Sequence, residues 1–241
     1  AEIQQVELAR LALELAAWGE AALRFPDPPP AGPMAAAQDL LRRLGALDDS
    51  GRITASGRQL LALGTHPRLA AMLRAPLSPP ERALACDLAA LLEARDVLRD
   101  RSDSLVPRWQ ALAAFRAGRA PAQAHRGALA AIDAAARQWR RRLRLDALPP
   151  AEVPGLLIGD LLAHAFPDRI ARQHPADPRR LLFANGRMGR LFDDSALFGE
   201  PWLVATELRF EAKDALVLRG APVDEARLAR EFPGRFFEGD V

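Results

Sequence analysis

The stretch Arg52–Pro76, "RITASGRQLLALGTHPRLAAMLRAP", decides how the chain is read. Thr54 stands where its hydroxyl can cap a helix, and Leu60, Leu61 and Leu63 give the helix that follows an apolar side. Pro67 sits near the start of the next helix, where a missing amide hydrogen costs nothing, and Leu69, Met72 and Leu73 form that helix's stripe. Just upstream, "GALDDSGRIT" (45–54) offers a turn at Asp49-Ser50-Gly51 between two short extended runs, a small hairpin or wing. Before the wing, a helix from about Pro33 to Leu44 turns Leu40, Leu41 and Leu44 inward. Five prolines between Phe25 and Pro33 make an irregular connector, since each removes a backbone donor. A first helix, "EIQQVELARLALELAAWG" (2–19), carries Ile3, Val6, Leu8, Leu11, Leu13 and Leu15 around much of its circumference. Helix, helix, hairpin, helix predicts a winged-helix-like domain over 1–65.

Residues 66–166 read as five helices punctuated by prolines, Pro121 being another near a helix start. Their stripes (Leu84, Leu88, Leu91 and Leu92; Leu112 and Phe115; Leu129, Ile132, Trp139 and Leu143; Leu156, Leu157, Leu161 and Leu162) imply a bundle core rather than a cofactor pocket. After Pro167 the pattern changes to short runs between turns, "RRLLFANGRMGRLF", "EPWLVATELRF" and "ALVLRG", with Asn185-Gly186 as a strong hairpin signal. These predict a small β-barrel-like unit over 167–241, followed by a short helix from Asp224 to Glu231 and an aromatic tail. The fold class expected is mainly α, multi-domain: winged helix, bundle, barrel. The chain opens directly in a helix without Met and its final pattern has no stop, so both ends read as cut from something longer.

Composition excludes several classes. Of 241 residues 27% are charged, the mixture of a globular protein; no apolar run reaches the length of a membrane span, and the N-terminus lacks the basic-then-apolar order of a secretory signal. A cytoplasmic location without membrane partners is expected. The lone Cys86 has no disulfide partner, and His66, His125, His164 and His174 fall in different elements, so neither a metal site nor a catalytic triad is expected. There is one lysine, Lys213, against 32 arginines. A Walker A loop needs a lysine after a glycine-rich turn to reach the terminal phosphates, and Lys213 in "FEAKDALV" has no such turn before it. The chain carries no P-loop.

The net charge of +2 hides an asymmetry: residues 1–100 sum to −2, 101–146 to +7, 169–190 to +5 and 193–241 to −5. The densest cluster is "RQWRRRLRL" (137–145), where Arg137, Arg141 and Arg144 stand at helical spacings of four and three, with Trp139 and Leu143 on the core side. A like-charge stripe is unfavourable unless an anion lies across it, and guanidinium forks suit phosphate. The other reading is a solvated face in an arginine-biased proteome. The two basic segments are expected to flank the junction of bundle and barrel.

The quoted stretch, followed by "ALACDLAALLEARD" (83–96), resembles DEAH/RHA helicases, in which the winged helix ends in Thr-x-x-Gly-Arg and runs through Pro-Arg-Leu-x-x-Met-Leu into a helical ratchet bundle. The matching positions are Thr54, Gly57, Arg58, Pro67, Arg68, Leu69, Met72 and Leu73. "LALELAAWG" (11–19), "AFPDRIAR" (165–172), "FANGRMGRL" (183–191) and "GEPWLVATEL" (199–208) resemble the bacterial HrpB branch in particular. One departure is Gly64-Thr65, where the wider family has a proline-containing turn. The resemblance implies a winged helix, a ratchet-like bundle and an OB-like barrel that wall a single-strand channel beside two RecA-like motor domains; ATP and Mg would be held by those motor domains, and no cofactor by this chain.

Two roles follow. In the first, the chain grips single-stranded RNA or DNA through Arg137, Arg141 and Arg144, then through Arg169, Arg172, Arg187 and Arg190 on the barrel side. In the second, it docks the motor or another protein without touching the strand. Phe183, Phe192 and Trp202 either stack bases or belong to the core, Asn185-Gly186 makes a turn, and Arg58 and Arg68 are read as structural. A free-standing hydrolase has no nucleophile motif to support it.

Overall fold

The computed structural model describes residues 2–19, 29–98, 102–119, 122–211 and 213–233, with side chains from Leu8 onward in the first helix. Residues 25–28 of the predicted connector, Pro121, the tail beyond 233 and the side chains of Ile3 and Val6 lie outside these. The chain divides into two compact units, Ala1–Ala75 and Pro76–Val241.

Unit 1 contains α1 (Glu2–Trp18), α2 (Ala31–Arg43), α3 (Ala55–Ala62) and α4 (Pro67–Arg74). Ala9, Ala12 and Leu13 of α1 pack with Leu40 and Leu41 of α2, Leu47 and Leu60 in one buried cluster. The wing is reduced to a single bridge, Leu47 to Ile53, closed by Gly51 N–H donating to Asp48 O at 2.9 Å. The Asp48 carboxylate accepts from the Arg52 amide and the Ser50 hydroxyl, which leaves the loop little need for longer strands.

The Thr-x-x-Gly segment has a definite job. Thr54 Oγ1 accepts from Gly57 N–H at 2.9 Å and donates to Gly45 O at 2.7 Å, tying the start of α3 to the end of α2. A Cβ at Gly57 would lie 2.2 Å from Ala46 O, so only glycine permits this approach. The departure at Gly64-Thr65 is resolved by capping: Gly64 adopts a left-handed φ of 64° beyond α3, and His66 Nδ1 then accepts from Arg68 N–H with Pro67 in the first turn of α4. Arg68, Leu69, Met72 and Leu73 are buried, while Arg58 is exposed.

Unit 2 opens with α5 (Pro79–Glu93), which starts in a capping box between Ser78 and Glu81, then α6 (Val106–Arg116), α7 (Arg126–Arg142) and α8 (Gly155–Ala165). Most of the predicted stripes are interior. Leu156 is not: it lies at the solvent side of the first turn of α8, 42% exposed, because Ile158, Leu161 and Leu162 supply the buried face.

A 3-10 turn (Pro167–Arg169) leads into β1 (Ile170–His174), β2 (Asp177–Phe183), β3 (Met188–Arg190), β4 (Trp202–Phe210) and β5 (Ala215–Pro222). They close a barrel in the order β1-β2-β3-β5-β4, with β3 and β5 parallel and the other pairs antiparallel. Asn185-Gly186 forms the β2–β3 turn, with Gly186 at φ 81° and Asn185 Oδ1 accepting from Arg187 N–H. Leu181, Phe183, Leu203, Leu208 and Val217 fill the interior. Phe183 and Trp202 are therefore core residues, the second of the readings open to them, and Phe192 is half-buried.

Bundle and barrel share one packed body. A Cβ on Gly159 of α8 would fall 1.8 Å from Pro222 O, so α8 lies almost in backbone contact with β5. Residues 103–105 run beside β5, with Gly220 N–H donating to Asp103 O and Leu105 N–H to Gly220 O, both at 2.8 Å. The Asp103 carboxylate holds the Ser195 hydroxyl and Ala196 N–H, and Asp96 bridges the fully buried Arg108 to Arg219. A short helix α9 (Glu225–Glu231), capped by Asp224, pins itself to α5 through Arg227 and Glu81.

Candidate nucleic-acid interface

Helix α7 packs against α5 and α6, and the extended segment 148–153 passes beside it. Between them lies a groove of about 1000 Å³. Arg116 and Arg119 of the α6 end and Arg137 and Arg140 of α7 line one side; Leu148, Pro149, Pro150 and Val153 line the other.

A buried carboxylate organises the basic wall. Asp87, wholly inaccessible on α5, accepts two parallel hydrogen bonds from Arg116 (2.7 and 2.8 Å), one from Trp109 Nε1 (3.1 Å) and one from Arg140 (3.3 Å). Arg116 Nε reaches Asp133 at 2.7 Å, and Asp133 also accepts from Arg137 one helical turn along. Burial pushes the Asp133 carboxyl up, but the hydrogen bonds and charges of Arg116 and Arg137 outweigh it and hold the group below the usual carboxylate range. Burial likewise pulls Arg116 down, and Asp87 and Asp133 more than restore it. Arg116 and Arg140 are thereby fixed, whereas the Arg137 side chain is 59% exposed and Arg119 is exposed at the groove mouth.

The residues expected to contact a strand separate into groups. Arg137 lines the groove, and Arg141 lies exposed one turn further along α7. Arg144 is a correction to the helical stripe. The helix ends at Arg142; Arg144 takes a left-handed φ of 52°, with its N–H donating to Arg141 O and Leu145 N–H to Arg140 O, so its side chain leaves the α7 face. On the barrel, Arg187 lies over the ring of the exposed Phe210 at 5.3 Å, and Arg190 shares Glu211 with Arg209. Arg172 is half-buried on β1. Arg169 is buried, donates to Thr206 O at 3.0 Å and lies over Phe166, which makes it a strut inside the barrel rather than a surface cation.

The bundle joins the barrel through α8 and residues 96–108, the latter overlapping the start of the first basic segment. Sequence reasoning also left Arg116, Arg119 and Arg140 unassigned. One signal was present: Asp87 in "ALACDLAALL" is a charge in an apolar run, which folding tolerates only when cations come to meet it. Its neighbour Cys86 is sealed in the same core, where burial pushes the thiol up to about 12.

A winged-helix unit precedes a helical bundle that carries a five-stranded barrel, the layout of the helicase-associated regions that this chain is similar to. Residues 37–64 match the helicase-associated domain (HA2), winged-helix family. Over its whole length the chain is 36% identical to the ATP-dependent RNA helicase HrpB of Escherichia coli (strain K12), of which it spans 27%. A crystal structure of the E. coli DExH-box NTPase HrpB superposes on 94% of the chain at a TM-score of 0.73 and 32% identity, covering 26% of that protein. A second, of the E. coli DEAH/RHA helicase HrpB, covers 90% of the chain and 25% of that protein at a TM-score of 0.64 and 31% identity. The chain thus matches a C-terminal region of HrpB-type helicases and spans about a quarter of their length.

Proposed function

We propose that this chain is the strand-handling accessory region of an ATP-dependent helicase, gripping single-stranded RNA or DNA beside RecA-like motor domains that hold ATP and Mg. The three functional parts are the winged helix (1–65), a ratchet-like bundle (66–166) and an OB-like barrel (167–241). The observation that carries this reading is the groove between α6, α7 and segment 148–153, where the exposed Arg119 and Arg137, beside the carboxylate-held Arg116 and Arg140, meet a wall of leucine, proline and valine. Guanidinium groups take phosphates by charge and by paired hydrogen bonds, and the apolar wall accepts the faces of bases or sugars. Such a surface reads no sequence, as befits a motor that must step along any strand. The exposed Arg187–Phe210 pair offers a further stacking surface on the barrel.

The test is charge reversal at Arg137 and Arg141, with strand binding and association with separately produced motor domains measured side by side. Loss of strand binding with docking intact supports the reading. The second reading, protein docking, draws on Leu148, which projects 70% exposed from the lip of the groove. Retained strand binding with lost docking favours it.

A further inference from the structure

Arg116 and Arg137 share Asp133, but they are held very differently. Arg116 makes three hydrogen bonds to carboxylates, a parallel pair to the inaccessible Asp87 and one from Nε to Asp133. Among the described residues Arg137 has Asp133 as its ion-pair partner, and its side chain is 59% exposed. Departure of Arg137 therefore leaves Asp133 still satisfied by Arg116, so the exchange orphans no buried charge. An incoming phosphodiester, in contrast, can take Arg137 without disturbing the Asp87 frame.

We propose that Asp133 is the affinity-setting residue of this groove: it holds Arg137 in the empty state and yields it to a backbone phosphate of a single strand, competing with the strand for the same guanidinium. This inference rests on the strand-handling reading above. It gives the groove a built-in weakness, which suits a surface that must release and re-grip as a strand moves through it. Asp133 lies well below the usual carboxylate range, so the competitor stays ionised across the neutral range and the effect depends on salt rather than on pH.

The experiment uses the full chain and a fluorescein-labelled oligouridylate, with anisotropy read at about 50 and 200 mM salt. Asp133→Asn keeps the shape and an acceptor oxygen while removing the charge. It is expected to tighten binding by roughly two- to fivefold, the range set by an exposed ion pair. That gain disappears in an Arg137→Gln background. Glu152→Gln, which removes another carboxylate from the groove wall, serves as the control for net charge, and its effect persists in that background. Side-chain nitrogen NMR of the unaltered chain supplies a reading independent of folding of the variants: Arg137 signals move on titration and the Arg116 Nε–H stays. If the unaltered chain binds, Arg137→Gln weakens it and Asp133→Asn has no effect, the inference about Asp133 falls while the strand reading stands. Movement of Arg116 with a stationary Arg137 overturns it equally. No binding by the unaltered chain at low salt overturns both.

Discussion

Arg144 shows how a single residue can carry a cost that spacing does not announce. It occupies the left-handed position after α7, where a side chain strains against the following carbonyl and glycine does not. Arg144→Gly is expected to raise stability by about 0.5–1 kcal/mol in urea unfolding, while leaving the groove arginines in place. Asp87 lies at the opposite extreme. Its removal as Asp87→Ala strands Arg116 and Arg140 beside a buried void and is expected to cost about 3–5 kcal/mol by the same measurement. The Thr54 cap, the burial of Leu69 and Met72 and the Asn185-Gly186 turn were legible in sequence, because each depends on neighbours within a few positions. Arg169 and Arg144 were not: whether an arginine is a strut or a surface cation depends on Thr206 in one case and on a helix stop without glycine in the other.

At the scale of elements, α8 is the piece that joins bundle to barrel, and its closest approach is at Gly159. Gly159→Ala is expected to separate α8 from β5 and destabilise the chain by about 1–3 kcal/mol, read as a lowered melting temperature. The same joint holds a pH dependence. Burial pushes Asp160 up to about 6, although the Asp224 N–H donated to it opposes that rise. Its folded value lies above its unfolded one, so protonated Asp160 is tolerated and ionisation costs stability as pH climbs from about 4 through 6. Asp160→Asn is therefore expected to gain roughly 1–2 kcal/mol at pH 8 and nothing near pH 3. Asp96 and Asp133 act with the reverse sign. Burial raises both, their arginine partners and hydrogen bonds lower them further, and the stability they supply is lost as pH falls through their depressed values. Helix-level periodicity located five helices between 66 and 166 but not which one faces the barrel, since that choice depends on a small residue at one point of contact.

For the whole molecule, the long-range pairings decide what sequence left open. Asp87 reaches Arg116 and Arg140, Asp96 reaches Arg219, and Asp103 reaches Ser195 and Ala196, all across tens of residues. The basic segment 101–146 was visible as charge alone; the groove it builds required the fold of α6 back onto α7 and the passage of 148–153. Helices α5 to α8 and the barrel lie in one compact unit. The most direct measurement is the salt dependence of oligouridylate binding by this chain and by an Arg119→Glu, Arg137→Glu variant. The expected result is that the logarithm of the affinity falls linearly with that of salt, by about 0.7 for each phosphate held, and that the variant loses both affinity and slope. Binding that is absent at about 50 mM salt, or the same in the variant as in the parent, contradicts it.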